Sequence, residues 1–183
     1  MAVASVMGAL AALLSLARVE VPFPILTYLK VDPAEVPSFV AYFAAGLGAG
    51  VSCALVHFLA IATRGEVLGG SMKLLAVLSN LAGLSLGMRV GGLRTAVLTG
   101  TLVRILVMDL ANLLVMTVLF PEYLRISEYM MRGAGVPVGS PSEALLWTII
   151  IVSIFNAVHA LVSGIPAYYI HRAVIRAVPQ LGR

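Results

Sequence analysis

Apolar runs at about residues 1–17, 36–62, 67–88, 95–119 and 143–170 limit what this chain can fold into, because several approach the roughly 20 apolar residues of a bilayer-crossing helix. None alternates as membrane barrel strands do. Of 183 residues 61% are hydrophobic and 11% charged, against roughly 45–50% apolar residues in soluble domains. The pattern reads as an all-α integral membrane protein. It forms one domain over residues 1–183, with no repeat, low-complexity tract or separate soluble unit.

The run at 36–62 carries Gly46, Gly48 and Gly50 at its centre, and this turn chemistry predicts two shorter helices packed as a hairpin rather than one span. That reading gives six spans with both termini on one side. Arg89 and Arg94 between two runs, with Arg172, Arg176 and Arg183 at the tail, then share the cytoplasmic side. A five-span arrangement with the N-terminus outside accounts for the same arginines. The N-terminal run lacks the basic segment of a secretion signal and is expected to be retained as a first span.

Two long connections, residues 18–35 and about 121–142, fall on the opposite, external face and carry mixed charge with glycine and proline. Connections of more than about 12–15 residues are commonly lids or binding loops. The net charge of +4 is not clustered with aromatic residues, which excludes a nucleic-acid surface. The single cysteine, Cys53, excludes a disulfide framework and a cysteine-based metal site and reads as a small buried residue.

Polar residues within the runs are the candidates for function. Arg104 and Asp109 lie mid-span, where a charge costs about 2.5–3.5 kcal/mol on insertion scales. Helical geometry puts Thr101, Arg104, Met108 and Asn112 on one face and turns Asp109 away by about 80°. Arg104 therefore pairs with a carboxylate or carbonyls on a neighbouring helix, or faces a ligand or partner. In the last run Asn156, His159 and Ser163 form a polar stripe, whereas His57 reads as a packing residue. Lys73 stands near the external end of its span, with Ser71, Ser79 and Asn80 further polar groups there. In the first run Ala4, Gly8 and Ala12 form a small-residue stripe suited to close helix approach, within the bundle or against a partner protein. No catalytic motif, metal cluster or P-loop is present, so ATP hydrolysis is not expected of the chain itself.

These motifs resemble the substrate-binding S component of energy-coupling factor (ECF) vitamin transporters, most closely the riboflavin branch. The resemblance rests on "VPFPILTYLKVDPAEVPSF", on Arg104, Met108 and Asn112 followed by Pro121 and Tyr123, and on Phe155 and Asn156 with His159 where the branch has lysine. A further departure is Lys73, in "MKLLA", where many members have asparagine; it points to a phosphorylated flavin or to another vitamin. The resemblance implies a six-helix bundle binding riboflavin as transport substrate, with no covalent cofactor. Its ligand residues would be Tyr28, Leu29, Lys30, Lys73, Met108, Asn112, Asn156 and His159, with Lys30 to Pro37 as hinge and lid and Asp32 and Glu35 anchoring the second helix. It also implies partners: a transmembrane coupling subunit bearing two ATP-binding subunits, docked on Ala4, Gly8 and Ala12 in a prokaryotic cytoplasmic membrane. The rivals are an S component for another vitamin or precursor, a small membrane enzyme using His159, Asp109 and Arg104 on a lipid-like substrate, and an assembly subunit without ligand.

Overall fold

The computed structural model describes residues 2–177; Arg183 of the basic tail lies outside the described residues. Among the described residues the chain is all-α apart from one two-residue ladder. In order it forms α1 (Ala2–Leu16), β1 (Val21–Pro22), β2 (Lys30–Val31), a 3-10 turn (Pro33–Glu35), α2 (Val36–Ala45), α3 (Leu47–Ala62), α4 (Val67–Leu114), a π turn (Val115–Leu119), α5 (Glu122–Gly133) and α6 (Pro141–Ala177).

The glycines divide the apolar runs. Gly46 adopts φ +83°, a conformation nearly reserved for glycine, and separates α2 from α3. The two then pack so closely that a Cβ on Gly50 would lie 3.0 Å from the Ser38 carbonyl oxygen. The paired-helix expectation for 36–62 holds. In α4, Gly91 and Gly92 leave helical geometry, with Gly92 at φ +74°, and the helix folds back as two arms. A Cβ on Gly87 would collide with Ala96 Cα, and one on Gly83 would lie 2.7 Å from Gly100 Cα, so the arms touch backbone to backbone. Thr99 Oγ1 fastens them by donating to the Gly83 carbonyl at 2.7 Å.

Among the described residues, α1, α2, α3, the two arms of α4 and α6 form the six rods of the bundle, and α5 is a separate short helix. Lengths are uneven. Val67–Leu119 and Pro141–Ala177 are long and apolar enough to cross a membrane, whereas α1, α2 and α3 have 15, 10 and 16 residues. The outward face of the second α4 arm carries Leu98, Leu102, Leu106 and Leu110, all exposed at four-residue spacing, as lipid contact requires. Its inward face carries buried Arg104, Met108 and Asn112.

The central core joins Phe39 and Val40 of α2, Ala54 of α3, Val77, Leu81, Leu84 and Ala96 of α4, and Ala167 of α6. A second cluster, Leu26, Met131, Val138, Ala144 and Ile151, roots the first long connection against α5 and the start of α6. The connection expected at 121–142 is thus largely helix. α5 seats Tyr123, Ser127 and Met131 at four-residue spacing toward the bundle and turns Tyr129, 81% exposed, outward. Glu122 in its first turn and Arg132 in its last suit the helix dipole. The β1–β2 ladder pairs Val21 with Val31 and Pro22 with Lys30, giving the first connection a fixed strap. The strap, the α3–α4 turn and α5 gather at one end of the bundle. Arg89, Arg94, Arg172 and Arg176 stand at the other by the run of the helices.

Candidate functional site

Under the strap, between the two arms of α4 and α6, lies a cavity of about 220 Å³. All eight ligand candidates, Tyr28, Leu29, Lys30, Lys73, Met108, Asn112, Asn156 and His159, line it. Met72, Met116, Tyr123 and Phe155 complete the walls with thioethers and rings that sequence reading did not select as ligand contacts. Methionine and aromatic side chains suit a flat, polarisable guest.

One wall is a buried ionic cluster. Arg104 holds Glu35 with two nitrogens, at 2.7 and 3.3 Å, and its Nε donates to Asn156 Oδ1 at 3.1 Å. His159 closes the cluster, with Nδ1 3.2 Å from Arg104 Nη2 and Nε2 accepting the Asp32 backbone N–H at 3.2 Å. Of the two options for Arg104, a carboxylate partner on a neighbouring element is the observed one, yet the guanidinium also borders the cavity. Glu35 was expected to anchor the start of α2. It occupies that helix's cap position without any capping hydrogen bond, because its carboxylate goes to Arg104 instead.

A second cluster lies alongside. Asp32 caps the 3-10 turn by accepting the Ala34 N–H at 2.9 Å, and its other oxygen binds the Lys73 ammonium and lies 3.4 Å from His57 Nε2. His57, set aside as packing, belongs to the wall behind the cavity. Burial raises the Asp32 carboxyl's pKa, but contacts from His57 and Lys73 outweigh it and hold the group well below the usual carboxylate range. Burial likewise opposes ionisation of Glu35, and Arg104 overrides it. Asp32, Ala34, Glu35 and Pro37 are buried and tied to several helices, so this stretch of the expected lid is a fixed wall.

The strap is held by polar contacts. Tyr28 shares a 2.8 Å hydrogen bond with Ser127 of α5, and burial pushes its hydroxyl up to about 12. Lys30 meets Glu20 at 2.8 Å, and Glu20 also meets Arg64, which in turn binds Glu66 and the Ser15 carbonyl. Burial pushes the Glu20 carboxyl up, but Lys30 and Arg64 together hold it below its ordinary value.

The two asparagines differ. Asn156 donates to the Val152 carbonyl and accepts from Arg104, so it has one N–H left. Asn112 spends one N–H on the Met108 carbonyl and leaves its oxygen and second N–H for a guest. Asp109 stands outside the cavity, bound by Ser153 Oγ at 2.7 Å, so it does not join Arg104 and His159 as the enzyme rival requires. On α1, Gly8 is buried, and a Cβ there would sit 3.4 Å from Val56 of α3, so it serves packing within the bundle. Ala4 and Ala12 remain half-buried.

Compared with solved structures, the chain superposes on the S component of a bacterial ECF transporter with a TM-score of 0.74 at 24% identity, covering 96% of this chain and 95% of that one. This is the S-component fold. No family model and no curated protein matches the sequence. Within this fold, the chain's ionic clusters, strap and cavity sit together at one end of the bundle, with Lys73 and His159 both lining the cavity.

Proposed function

We propose that the chain is the membrane-embedded substrate-binding subunit of an ECF-type vitamin uptake transporter, with riboflavin as its ligand. The observation that carries this reading is the convergence of eight residues, spread from 28 to 159, on one cavity. Asn112 offers an acceptor and a donor to the pyrimidine-like edge of a flavin, while Tyr28, Phe155 and the methionines provide faces for its rings. Sites for drug-sized ligands commonly span about 300–1,000 Å³. A flavin therefore enters with the strap displaced, which breaks the Tyr28–Ser127 and Lys30–Glu20 contacts and reforms them over the guest.

ATP hydrolysis is supplied in this reading by two partner subunits acting through a transmembrane coupling protein in a prokaryotic cytoplasmic membrane. The test is a visible spectrum of the detergent-purified protein, then riboflavin titration followed by flavin and Trp147 fluorescence. A yellow preparation, or saturable quenching at one equivalent, supports the proposal. A colourless protein indifferent to riboflavin removes the flavin assignment.

A further inference from the structure

The charges in and behind the cavity wall are matched to one another in small groups. Lys30 is matched by Glu20, Lys73 by Asp32, Arg104 by Glu35, and Arg64 by Glu20 and Glu66. Four cations meet four carboxylates, with Arg18 approaching Glu66 at 3.8 Å from the solvent side. Of the two lysines that line the cavity, Lys30 on the strap is 35% exposed and Lys73 is 20% exposed, its ammonium held by a fully buried carboxylate. Asp32 has no oxygen to spare: one accepts Ala34 N–H, and the other serves Lys73 and faces His57.

From this pairing we infer that Asp32 sets the charge class of the ligand, neutralising Lys73 so that the cavity admits uncharged guests and refuses phosphate-bearing ones. The inference rests on the reading of the cavity as a ligand site. A phosphate monoester brings a charge of about −1.5 to −2. To bind in a water-poor site it needs cations that are not already matched. Taking Lys73 from Asp32 would strand a buried carboxylate beside only His57, and taking Arg104 from Glu35 would do the same on the other wall. An uncharged guest with amide edges leaves every pair intact and uses Asn112. Lys73, which the sequence alone suggests as a phosphate contact, is in place for that work but already occupied.

Inorganic phosphate is a probe that needs no vitamin. Thermal unfolding of the full chain in detergent is measured with and without phosphate, ionic strength being matched by chloride, for the native protein, for Asp32→Asn and for Asp32→Asn with Lys73→Met. Asparagine keeps the oxygen that caps Ala34 while removing the charge. Asp32→Ser, which also caps, replaces it where Asn does not give a cooperative transition. The expected result is no phosphate-specific shift in the native protein, a rise of several degrees in the single variant, and loss of that rise in the double variant. Phosphate stabilisation of the native protein, or none in a folded Asp32 variant, overturns the inference. A parallel titration expects riboflavin to bind the native protein at least tenfold more tightly than its 5′-phosphate, and preference for the phosphate overturns it equally. Should neither flavin bind while phosphate behaves as expected, the flavin assignment fails and the charge rule stands.

Discussion

Arg104 grips Glu35 through both terminal nitrogens, at 2.7 and 3.3 Å, with each side chain no more than 1% exposed. Removing one partner from such a pair costs about 3–5 kcal/mol, because the survivor is left buried and charged. Arg104→Met should therefore lower the unfolding midpoint in detergent sharply, and Glu35→Gln added to it should restore part of the loss. A double variant as unstable as the two single losses added together would show that the pair is not the cause.

The asparagines should separate binding from stability. Asn112→Leu removes the free amide and is expected to weaken riboflavin binding at least tenfold, about 1.4 kcal/mol, with little change in unfolding. Asn156→Leu strips the acceptor from Arg104 Nε and should weaken binding and also cost about 1–3 kcal/mol of stability. Equal effects of the two variants on unfolding would contradict the division of roles drawn from their hydrogen bonds.

Acid should dissolve the ionic clusters. Asp32, Glu35 and Glu20 all titrate below their ordinary values in the folded protein, so the unfolded chain takes up protons first as pH falls. Their stabilisation is complete above about pH 5.5, roughly one unit over the unfolded values, and fades as the pH drops through the unfolded and then the folded values. Unfolding midpoints measured from pH 7 to pH 3 should be level at first and then decline. Asp32→Asn should decline less steeply, and an unchanged slope would count against the role given to this carboxylate.

How far the chain could be read without its structure depends on the range over which each feature is determined. Gly46 and the apolar runs are local signals, and the rods follow them. Asn112, Asn156, His159 and Lys73 stood out because polar groups on apolar helices have few reasons to be there, whereas Tyr28, Leu29, Lys30 and Met108 came from the resemblance alone. The ionic partners were not legible. Glu35 lies 69 residues from Arg104, and Asp32 lies 41 from Lys73, so no periodicity links them. α5 was missed because its polar outward face hid a stripe of only Tyr123, Ser127 and Met131, set between glycine- and proline-rich flanks. The small-residue stripe on α1 was visible, but spacing alone does not say which neighbour fills it.

That stripe yields a further contrast. Gly8→Leu intrudes on Val56 and should lower stability by about 1–3 kcal/mol, the usual range for overpacking. Replacing the half-buried Ala4 and Ala12 with Trp should spare folding and ligand binding and abolish transport in cells carrying the full complex, if the coupling partner docks there. Normal uptake by that double variant would exclude this face as the docking surface.

The distance in sequence between Arg104 and Glu35 also bears on how the protein is made. A nascent chain ending short of residue 104 would carry a carboxylate at residue 35 with no cation to answer it, and a histidine partner that arrives later still. The helices synthesised first would then remain unsettled until the second arm of α4 emerges. Chains halted before residue 104 should therefore be more sensitive to protease than chains halted after it, and equal sensitivity would show that the pair does not order assembly.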